Sequence, residues 1–403
     1  MLKRNKNQQS GELSTMRNGK TVLAQMQEII SRYNFQKAVF LHKGDKSVKN
    51  FTTHNLLTTM LYAQMTAKMS LRDICDGLKS KMNYWYHLSI KSISRNNLSY
   101  ALSKRPAEIF ESIFYQLLMK LKAERGVVTD KRFKFKNSLR SIDSTTISLC
   151  LSLFDWARFR RAKGGIKLHT MFNNKEQLPE FIIISEAKEH DINIAYDVPI
   201  QEGGIYVMDK AYLCYDFLEK IRENRAFFVI RTKRNSQYRI LERRKKTGIG
   251  VKADWIVKII GSKAKDYPEK LRVVKYYDAD TKQTYEYYTN NFRLSAKTIA
   301  DIYKSRWDIE IFFKFIKQNL KIKTFFGTSE NAVRIQIWTA MIALLLVEYI
   351  RFKCRSTFSL QKAWRILKDN IFQQYRIEFL LSELSVPKPE IKSTNNVQLS
   401  LCF

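Results

Sequence analysis

The spacing of apolar residues along this chain changes from a helical to a strand-like pattern near residue 131, and the fold must accommodate both patterns in that order. In 52–69 the apolar residues recur at intervals of three and four, as on one face of a helix. Beyond a basic connector, apolar and β-branched residues form short runs separated by turn-forming residues, which is typical of β-strands. The first predicted strands are 139–151, 167–172 and 180–185.

A fourth predicted strand, 204–209, is apolar and ends in a carboxylate. A predicted helix, 212–225, separates it from a fifth strand, 226–231. Three strands, a crossover, a strand, a helix and a strand describe a mixed α/β sheet of the ribonuclease H kind. Residues 232–292 interrupt this order with basic runs and further strand-like segments, and they predict a β-rich insertion. Helices return after it, most clearly over 295–321.

The charge balance points to a polyanion as the partner. The chain has 71 Lys and Arg against 38 Asp and Glu, a net charge of +33 over 403 residues. Residues 1–140 hold 26 basic and 9 acidic side chains, so about half of the excess lies in this third of the chain. Within it, 92–103 has the polar start and apolar continuation of a recognition helix, although a solvated helix face has the same composition. A generally basic or ribosome-associated protein is the alternative.

Other features limit the class of protein. Five cysteines are scattered without a CxxC pair, which favours neither a zinc site nor a disulfide framework. Residues 1–20 are polar and are expected to be flexible, and they have no apolar core of a signal peptide. The most apolar stretch, 335–350, is interrupted by Gln336 and Glu348 and is shorter than a bilayer span. We interpret it as a buried helix of a soluble protein.

Two aspartates stand where strand-forming residues surround or precede them. Asp143 lies inside the first predicted strand, and a charge there needs a counter-ion or a metal. Asp209 ends the fourth strand, where open α/β sheets place functional groups. Two carboxylates at the ends of adjacent strands repel each other unless a cation lies between them, and such oxygen ligands suit Mg²⁺ or Mn²⁺. A helix cap or a turn aspartate is the alternative for either residue alone.

The predicted helix 295–321 carries one polar stripe. Tyr303, Arg306, Glu310 and Lys317 have offsets of 0, 3, 7 and 14, which at about 100° per residue fall within a sector of roughly 60°. Glu310 would complete a set of three carboxylates able to hold two metal ions. The other three would bind phosphates. An exposed charged helix face is the alternative. The opposite side would pack on the sheet through Ile302, Ile309, Phe312, Phe313 and Ile316.

These motifs resemble the IS4 family of bacterial insertion-sequence transposases. The family signature Tyr-x2-Arg-x3-Glu-x6-Lys is matched in full by Tyr303, Arg306, Glu310 and Lys317. One departure is Asp209-Lys-Ala-Tyr, where the family usually has Asp-Arg-Gly-Tyr. Ala211 lacks the backbone freedom of glycine, which we interpret as a sign of a weakened copy. Further ordered matches are 19–22, 70–74, 143–147, 156–160, 167–169 and 314–333.

The resemblance implies a ribonuclease H-like catalytic domain in which Asp143, Asp209 and Glu310 are the catalytic triad and hold Mg²⁺, or Mn²⁺ in its place. It implies cut-and-paste movement: each end is nicked, the freed 3′-hydroxyl closes a hairpin, water reopens it, and the end attacks target DNA. Trp307 has the position of an aromatic that holds a base displaced in the hairpin, and a core tryptophan is its alternative. Trp255, in the insertion, is a second candidate for this role or an ordinary sheet residue.

The sequence thus predicts a helical DNA-end-binding domain over 1–130 and a catalytic domain over 131–335 that contains the insertion. A helical region with a loose tail follows over 336–403. The expected partners are the terminal inverted repeats of an element and target DNA, with a homodimer in the synaptic complex and no membrane. The expected location is the bacterial cytoplasm, at the nucleoid. A metal-dependent nuclease without strand transfer and an inactive transposase-derived DNA-binding protein are the alternatives.

Overall fold

The computed structural model describes residues 19–382 except 127, 129–131, 151, 161–162, 234–235, 321 and 323. The predictions of a flexible start and of a loose tail after residue 386 concern residues outside this range. The described part contains one ten-stranded sheet with helices before it, on both of its faces and after it.

Helices fill the amino-terminal part of the chain, as the apolar spacing predicts. Polar side chains cap their starts: Ser70 accepts a hydrogen bond from the backbone N–H of Asp73 at 3.1 Å, which confirms the capping pattern seen in the sequence. Ser94 caps the predicted recognition helix in the same way. The helices are α1 (Val22–Glu28), α2 (Arg32–Leu41), α3 (Thr53–Met65), α4 (Leu71–Lys79), α5 (Trp85–Leu88), α6 (Arg95–Lys104) and α7 (Glu108–Arg125).

The central strands have the order expected of a ribonuclease H-like sheet. The strands are β1 (Leu139–Leu149), β2 (Arg158–Arg160), β3 (Lys163–Asn173), β4 (Leu178–Glu186), β5 (Ile205–Met208) and β6 (Phe227–Arg231). Strands β4, β3 and β1 are antiparallel neighbours, while β5 and β6 continue the sheet parallel to β1. Two short helices, α8 (Asp191–Ala195) and α9 (Tyr215–Glu223), connect the last three strands. The predicted fold class is confirmed.

The insertion lengthens the same sheet instead of forming a separate layer. Its strands are β7 (Tyr238–Arg243), β8 (Val251–Ile259), β9 (Lys270–Asp278) and β10 (Gln283–Thr289). They add to β6 in the order β10, β9, β8 and β7, and each pair is antiparallel. The insertion is attached to the chain that follows it by Arg272, whose guanidinium pairs with buried Asp254 at 2.8 Å and donates to the carbonyl oxygens of Asn291 and Leu294.

The two faces of the sheet bury different partners because side chains alternate along each strand. On β5, Tyr206 and Met208 join a core with α8 and α9, while Ile205 and Val207 join one with α10 (Ala296–Lys304) on the other face. The largest core joins that second face to α11 (Trp307–Asn319), to α1–α7 and to the last helices, α12 (Glu330–Lys353), α13 (Leu360–Asp369) and α14 (Ile377–Leu381). Amino- and carboxyl-terminal helices therefore share one core.

Helix α12 is the centre of that core. Its 24 residues are longer than the apolar stretch suggests, and by length and composition alone they could span a bilayer. However, 94% of its most apolar window is buried inside the protein, against α3, α6 and α7 among others. The prediction of a buried helix is confirmed, while the argument that the segment is too short to cross a membrane is wrong.

Candidate active site

Asp143 and Asp209 come together because β5 ends beside the middle of the parallel strand β1. Ile142 of β1 pairs with Met208 of β5, so each aspartate is the next residue after a paired position. Along β1, Asp143 alternates with Ile142, which packs against α8 and α9, so its side chain lies on the opposite face, where α10 and α11 pack. The pairing of the two strands therefore places Asp143 and Asp209 at the same level of the sheet, where β5 ends.

Asp209 also caps the turn that follows its strand. Its carboxylate accepts a hydrogen bond from the backbone N–H of Ala211 at 2.5 Å, at the start of a single 3₁₀ turn over Lys210–Tyr212. Ala211 is not among the described residues with a positive φ, so this turn does not require glycine. The turn therefore gives no support to the interpretation that Ala211 is a sign of a weakened copy.

The predicted helix 295–321 is two helices. Helix α10 ends at Lys304 and α11 begins at Trp307, with Ser305 and Arg306 between them. At the junction the N–H groups of Arg306, Asp308 and Ile309 bond the carbonyl three residues back, which tightens the helical turn there. The prediction of one continuous helix is therefore wrong at Ser305 and Arg306. Three residues of the predicted stripe are still neighbours, since the guanidinium of Arg306 lies 5.9 Å from the ring of Tyr303 and also bonds Glu310.

Tyr303, near the end of α10, packs against the sheet. Its ring lies 4.5 Å from that of Tyr287 on β10. Burial raises the pKa of its hydroxyl, Arg306 opposes the shift, and Asp209 adds to it. Tyr303 is thus near the candidate site as a half-buried neighbour.

Arg306 connects two of the three candidate carboxylates. Its Nη1 donates to Oδ2 of Asp143 at 3.0 Å and its Nη2 donates to Oε1 of Glu310. The side chain is only 14% exposed. Burial alone would lower the pKa of the guanidinium, but Tyr303 and the two carboxylates outweigh it and the pKa is raised. Arg306 is therefore a charged group held between Asp143 and Glu310.

Asp143 has a raised pKa in this arrangement. Burial raises its pKa from the ordinary 3.8 to about 6. Arg306 and the N–H of Ser144, which donates to the carboxylate at 2.8 Å, oppose that rise, whereas the negative charges of Asp209 and Glu310 add to it. One arginine therefore does not neutralise the site, and the three carboxylates act on one another electrostatically.

The donor set has the chemistry of a divalent cation site. Asp143, Asp209 and Glu310 offer carboxylate oxygens, which hard cations such as Mg²⁺ and Mn²⁺ prefer, and the buried Asp143 carries a negative charge that lacks full compensation. As the described side chains stand, no three His, Cys, Asp or Glu residues are close enough to hold a metal ion, and the guanidinium of Arg306 lies between two of these carboxylates. The residues fit a metal ion that would replace the guanidinium of Arg306 as the positive partner of Asp143 and Glu310.

The remaining candidate residues are Trp307 and Lys317 on α11 and Trp255 on β8 of the insertion. Trp307 begins α11 and is 61% exposed, so it is not the core tryptophan of the alternative interpretation. Lys317 is half-buried near the end of the same helix. Trp255 lies on β8 with Lys275 at 4.9 Å and Arg243 at 5.5 Å from its ring, as an ordinary half-buried sheet residue between two cations would.

A polar network behind Asp143 was not expected from the sequence. The hydroxyl of Ser144 donates to Oδ1 of Asp191 at 2.7 Å, and Nζ of Lys167 lies 3.2 Å from the same oxygen. His169 adjoins this group, and burial lowers its pKa to about 4. The one available signal was Lys167-Leu-His, which stands among the family-like segments without an assigned role.

Comparisons with known proteins find two family models and several relatives that this chain resembles. A family model described as Transposase DDE domain matches residues 134–346, and one described as Domain of unknown function (DUF4372) matches residues 18–91. The chain is 29% identical over 333 residues to "Probable transposase for insertion sequence element IS5377" of Geobacillus stearothermophilus, covering 81% of this chain and 83% of that protein. It is 34% identical over 257 residues to the y4zB protein of Sinorhizobium fredii, which is named as a transposase, covering 62% and 69%. The piggyBac transposase synaptic complex with hairpin DNA superposes with a TM-score of 0.48 and 9% identity, over 92% of this chain and 84% of that chain.

Proposed function

Because the chain belongs to the family of DDE-domain transposases, we propose that it moves an insertion sequence by binding the element ends, cutting them with divalent metal ions and joining the freed 3′ ends to target DNA. The observation that carries the proposal is the grouping of three carboxylates: Arg306 joins Asp143 to Glu310, and Asp209, which follows the strand paired with that of Asp143, raises the pKa of Asp143 by its charge.

Asp143, Asp209 and Glu310 would hold Mg²⁺, for which Mn²⁺ would substitute. When bound, the metal supplies the positive charge that activates a water or a 3′-hydroxyl and stabilises the leaving oxygen. The protein contributes a carboxylate, Asp143, whose ionisation burial disfavours, so that it gains most from an added cation. The carboxylate of Asp209 accepts a hydrogen bond from the N–H of Ala211 at the turn after β5, and its charge acts on Asp143.

Arg306 would serve two partners in turn. Without metal it pairs with Asp143 and Glu310, which limits the repulsion between the carboxylates. Once a cation provides that charge, the guanidinium is free to bind a DNA phosphate, which its planar fork suits. Lys317, farther along α11, would contact the backbone of the same strand, and Tyr303 would contribute from the end of α10.

The element ends would be recognised by the helical region over 1–130, apart from the catalytic domain over 131–335. Helix α6 exposes Arg95, Asn96 and Asn97 on its first turn, as a helix entering the major groove would. The excess of basic residues would supply phosphate contacts. Because the helices over 336–403 share a core with this region, we propose that they position it on the catalytic domain.

Cut-and-paste movement through hairpin ends, in a homodimeric synaptic complex at the bacterial nucleoid, completes the proposal. The exposed indole of Trp307 would receive a base displaced when the hairpin closes. Trp255 is packed between two cations and is a less suitable surface for a base. The DNA beside the gene should carry inverted repeats within a few tens of bases of the reading frame, and these repeats supply the substrate for the cleavage, binding and strand-transfer assays.

A strand-transfer assay separates this function from its alternatives. A precleaved element end with a free 3′-hydroxyl is incubated with supercoiled plasmid and Mg²⁺, and a matched end with a 3′-deoxy terminus is the control. Joining of the first end alone is the expected result. Cleavage of uncut ends without joining would instead identify a nuclease, and binding with neither reaction would identify an inactive DNA-binding protein.

A further inference from the structure

We propose that Asn174 is a positioning residue, which holds the junction between α10 and α11 at Ser305 and thereby places Arg306 and Glu310 against Asp143. This inference rests on the proposed metal-dependent function. Asn174 lies in the turn after β3, far along the chain from both helices, and its side chain is 1% exposed. Nothing in its sequence neighbourhood singles it out, since asparagines are common in turns.

The side-chain amide of Asn174 connects β1 directly to Ser305, at the junction between α10 and α11. Its Oδ1 accepts a hydrogen bond from the hydroxyl of buried Ser141 at 2.9 Å. Its Nδ2 donates to the backbone carbonyl of Ser305 at 2.7 Å and lies 3.2 Å from the carboxylate of Asp308. The carbonyl of Ser305 can only accept, so the orientation of the amide is determined by its partners.

Both ends of this connection are two residues or fewer from the candidate site. Ser141 precedes Asp143 by two positions on the same strand, so the two side chains share a face. Ser305 precedes Arg306, and Asp308 precedes Glu310 by two positions. The amide therefore ties the strand of one carboxylate to the helix start of another through two direct hydrogen bonds.

Other groups hold Asn174 itself in place. Its backbone N–H donates to the carbonyl of Leu139 at 3.0 Å. Its backbone carbonyl accepts from Arg132 and Gln177, and both of these side chains also donate to the carboxylate of Asp308. A buried polar group with this many satisfied partners has one arrangement and resists displacement.

The neighbouring residue Asn173 is a buried asparagine with a structural role alone. Asn173 is also buried, in the same turn, and its side chain bonds Glu180 and the backbone N–H groups of Lys175 and Glu176. None of these contacts involves Ser305 or the two helices that it joins. Asn173→Asp is therefore a matched control, because it damages the same turn with the same chemical change and leaves the connection to Ser305 intact.

The test compares Mn²⁺ affinity by calorimetry on the full-length protein without DNA. Asn174→Asp replaces the donor to Ser305 by an acceptor beside Asp308, so we expect affinity at least tenfold weaker than wild type, with cleavage of element ends recovering as Mn²⁺ is raised. Asn173→Asp should bind Mn²⁺ within twofold of wild type, whatever its melting temperature. Ser141→Ala is a milder second variant, which keeps the bond to Ser305, and an affinity about threefold weaker is expected.

Each result has a defined meaning. Equal Mn²⁺ affinity in wild type and in both Asn174→Asp and Ser141→Ala would overturn the positioning role, as would an equal loss in Asn173→Asp. If Asn174→Asp does not fold, Ser141→Ala decides alone, and unchanged affinity there overturns the role. Absence of Mn²⁺ binding by the wild-type protein would overturn the proposed metal site, and the positioning role with it.

Discussion

Replacing Asp143 by Asn should make the metal-free protein more stable. The carboxylate is buried, and its pKa rises from 3.8 to about 6, so the folded protein favours the neutral form. At about 1.4 kcal/mol per pH unit, ionising Asp143 costs about 3 kcal/mol of folding free energy at neutral pH and above. Asn has the shape of the protonated carboxyl group and carries no charge, so it avoids that cost.

The free energy of unfolding of the wild-type protein should fall as pH rises, because Asp143 then ionises in a buried position. The stability associated with protonated Asp143 is fully present below about pH 4 and is lost as pH rises through about 6. Wild type and Asp143→Asn should therefore melt at similar temperatures near pH 4, diverge as pH rises from about 4 to about 6, and differ by a constant amount above that. For a folded region of this size, about 3 kcal/mol corresponds to a shift of roughly 4 °C.

The assay is thermal unfolding followed by circular dichroism in the presence of a chelator, at pH values from 4 to 8. Asp197→Asn is the matched control, because the same change at an exposed aspartate should alter stability by no more than about 0.5 kcal/mol. A variant Asp143→Asn that melts at or below the wild-type temperature at pH 8 would refute the reasoning, since it would mean that Arg306 fully compensates the charge.

Three further predictions concern the reaction with DNA. At Mn²⁺ concentrations below saturation, the cleavage rate should fall about tenfold per pH unit below about pH 6, because Asp143 must be ionised to bind metal; a flat profile between pH 5 and 7 would contradict this. Trp307→Ala should reduce hairpin formation while first-strand nicking on a labelled end persists, and since the indole is exposed, its melting temperature should stay close to wild type; equal loss of both products would refute the role. Affinity for element ends should fall linearly with log salt concentration, and a protein lacking residues 1–140 should lose its preference for those ends; preference retained in that shortened protein would move recognition elsewhere.

The sequence predicted the catalytic layer of this fold well because strand periodicity and strand-end carboxylates are local signals. Asp143 could be placed inside one strand and Asp209 at the end of another from their apolar neighbours alone. The insertion was visible as strands, but its joining to the edge of the same sheet was not, since pairing between β6 and β10 depends on residues more than fifty positions apart.

The interruption of the predicted helix at Ser305 could not be predicted from the sequence. Nothing in 295–321 breaks a helix by propensity, because it contains neither proline nor glycine. The junction is held by a tertiary contact, the amide of Asn174 on the carbonyl of Ser305, which local spacing cannot reveal. The same contact brings Arg306 to Asp143, so the ion pair was also beyond prediction.

Cleavage of a labelled element end by wild type and by Asp143→Asn, Asp209→Asn and Glu310→Gln tests the central claim most directly. Each change removes one negative charge with little change of shape, so metal-dependent nicking should disappear in all three while binding to the ends stays within a few-fold of wild type. Asp197→Asn, assayed beside them, should cut at the wild-type rate. Nicking that persists in any two of the three variants would contradict the assignment of Asp143, Asp209 and Glu310 as the metal-binding triad.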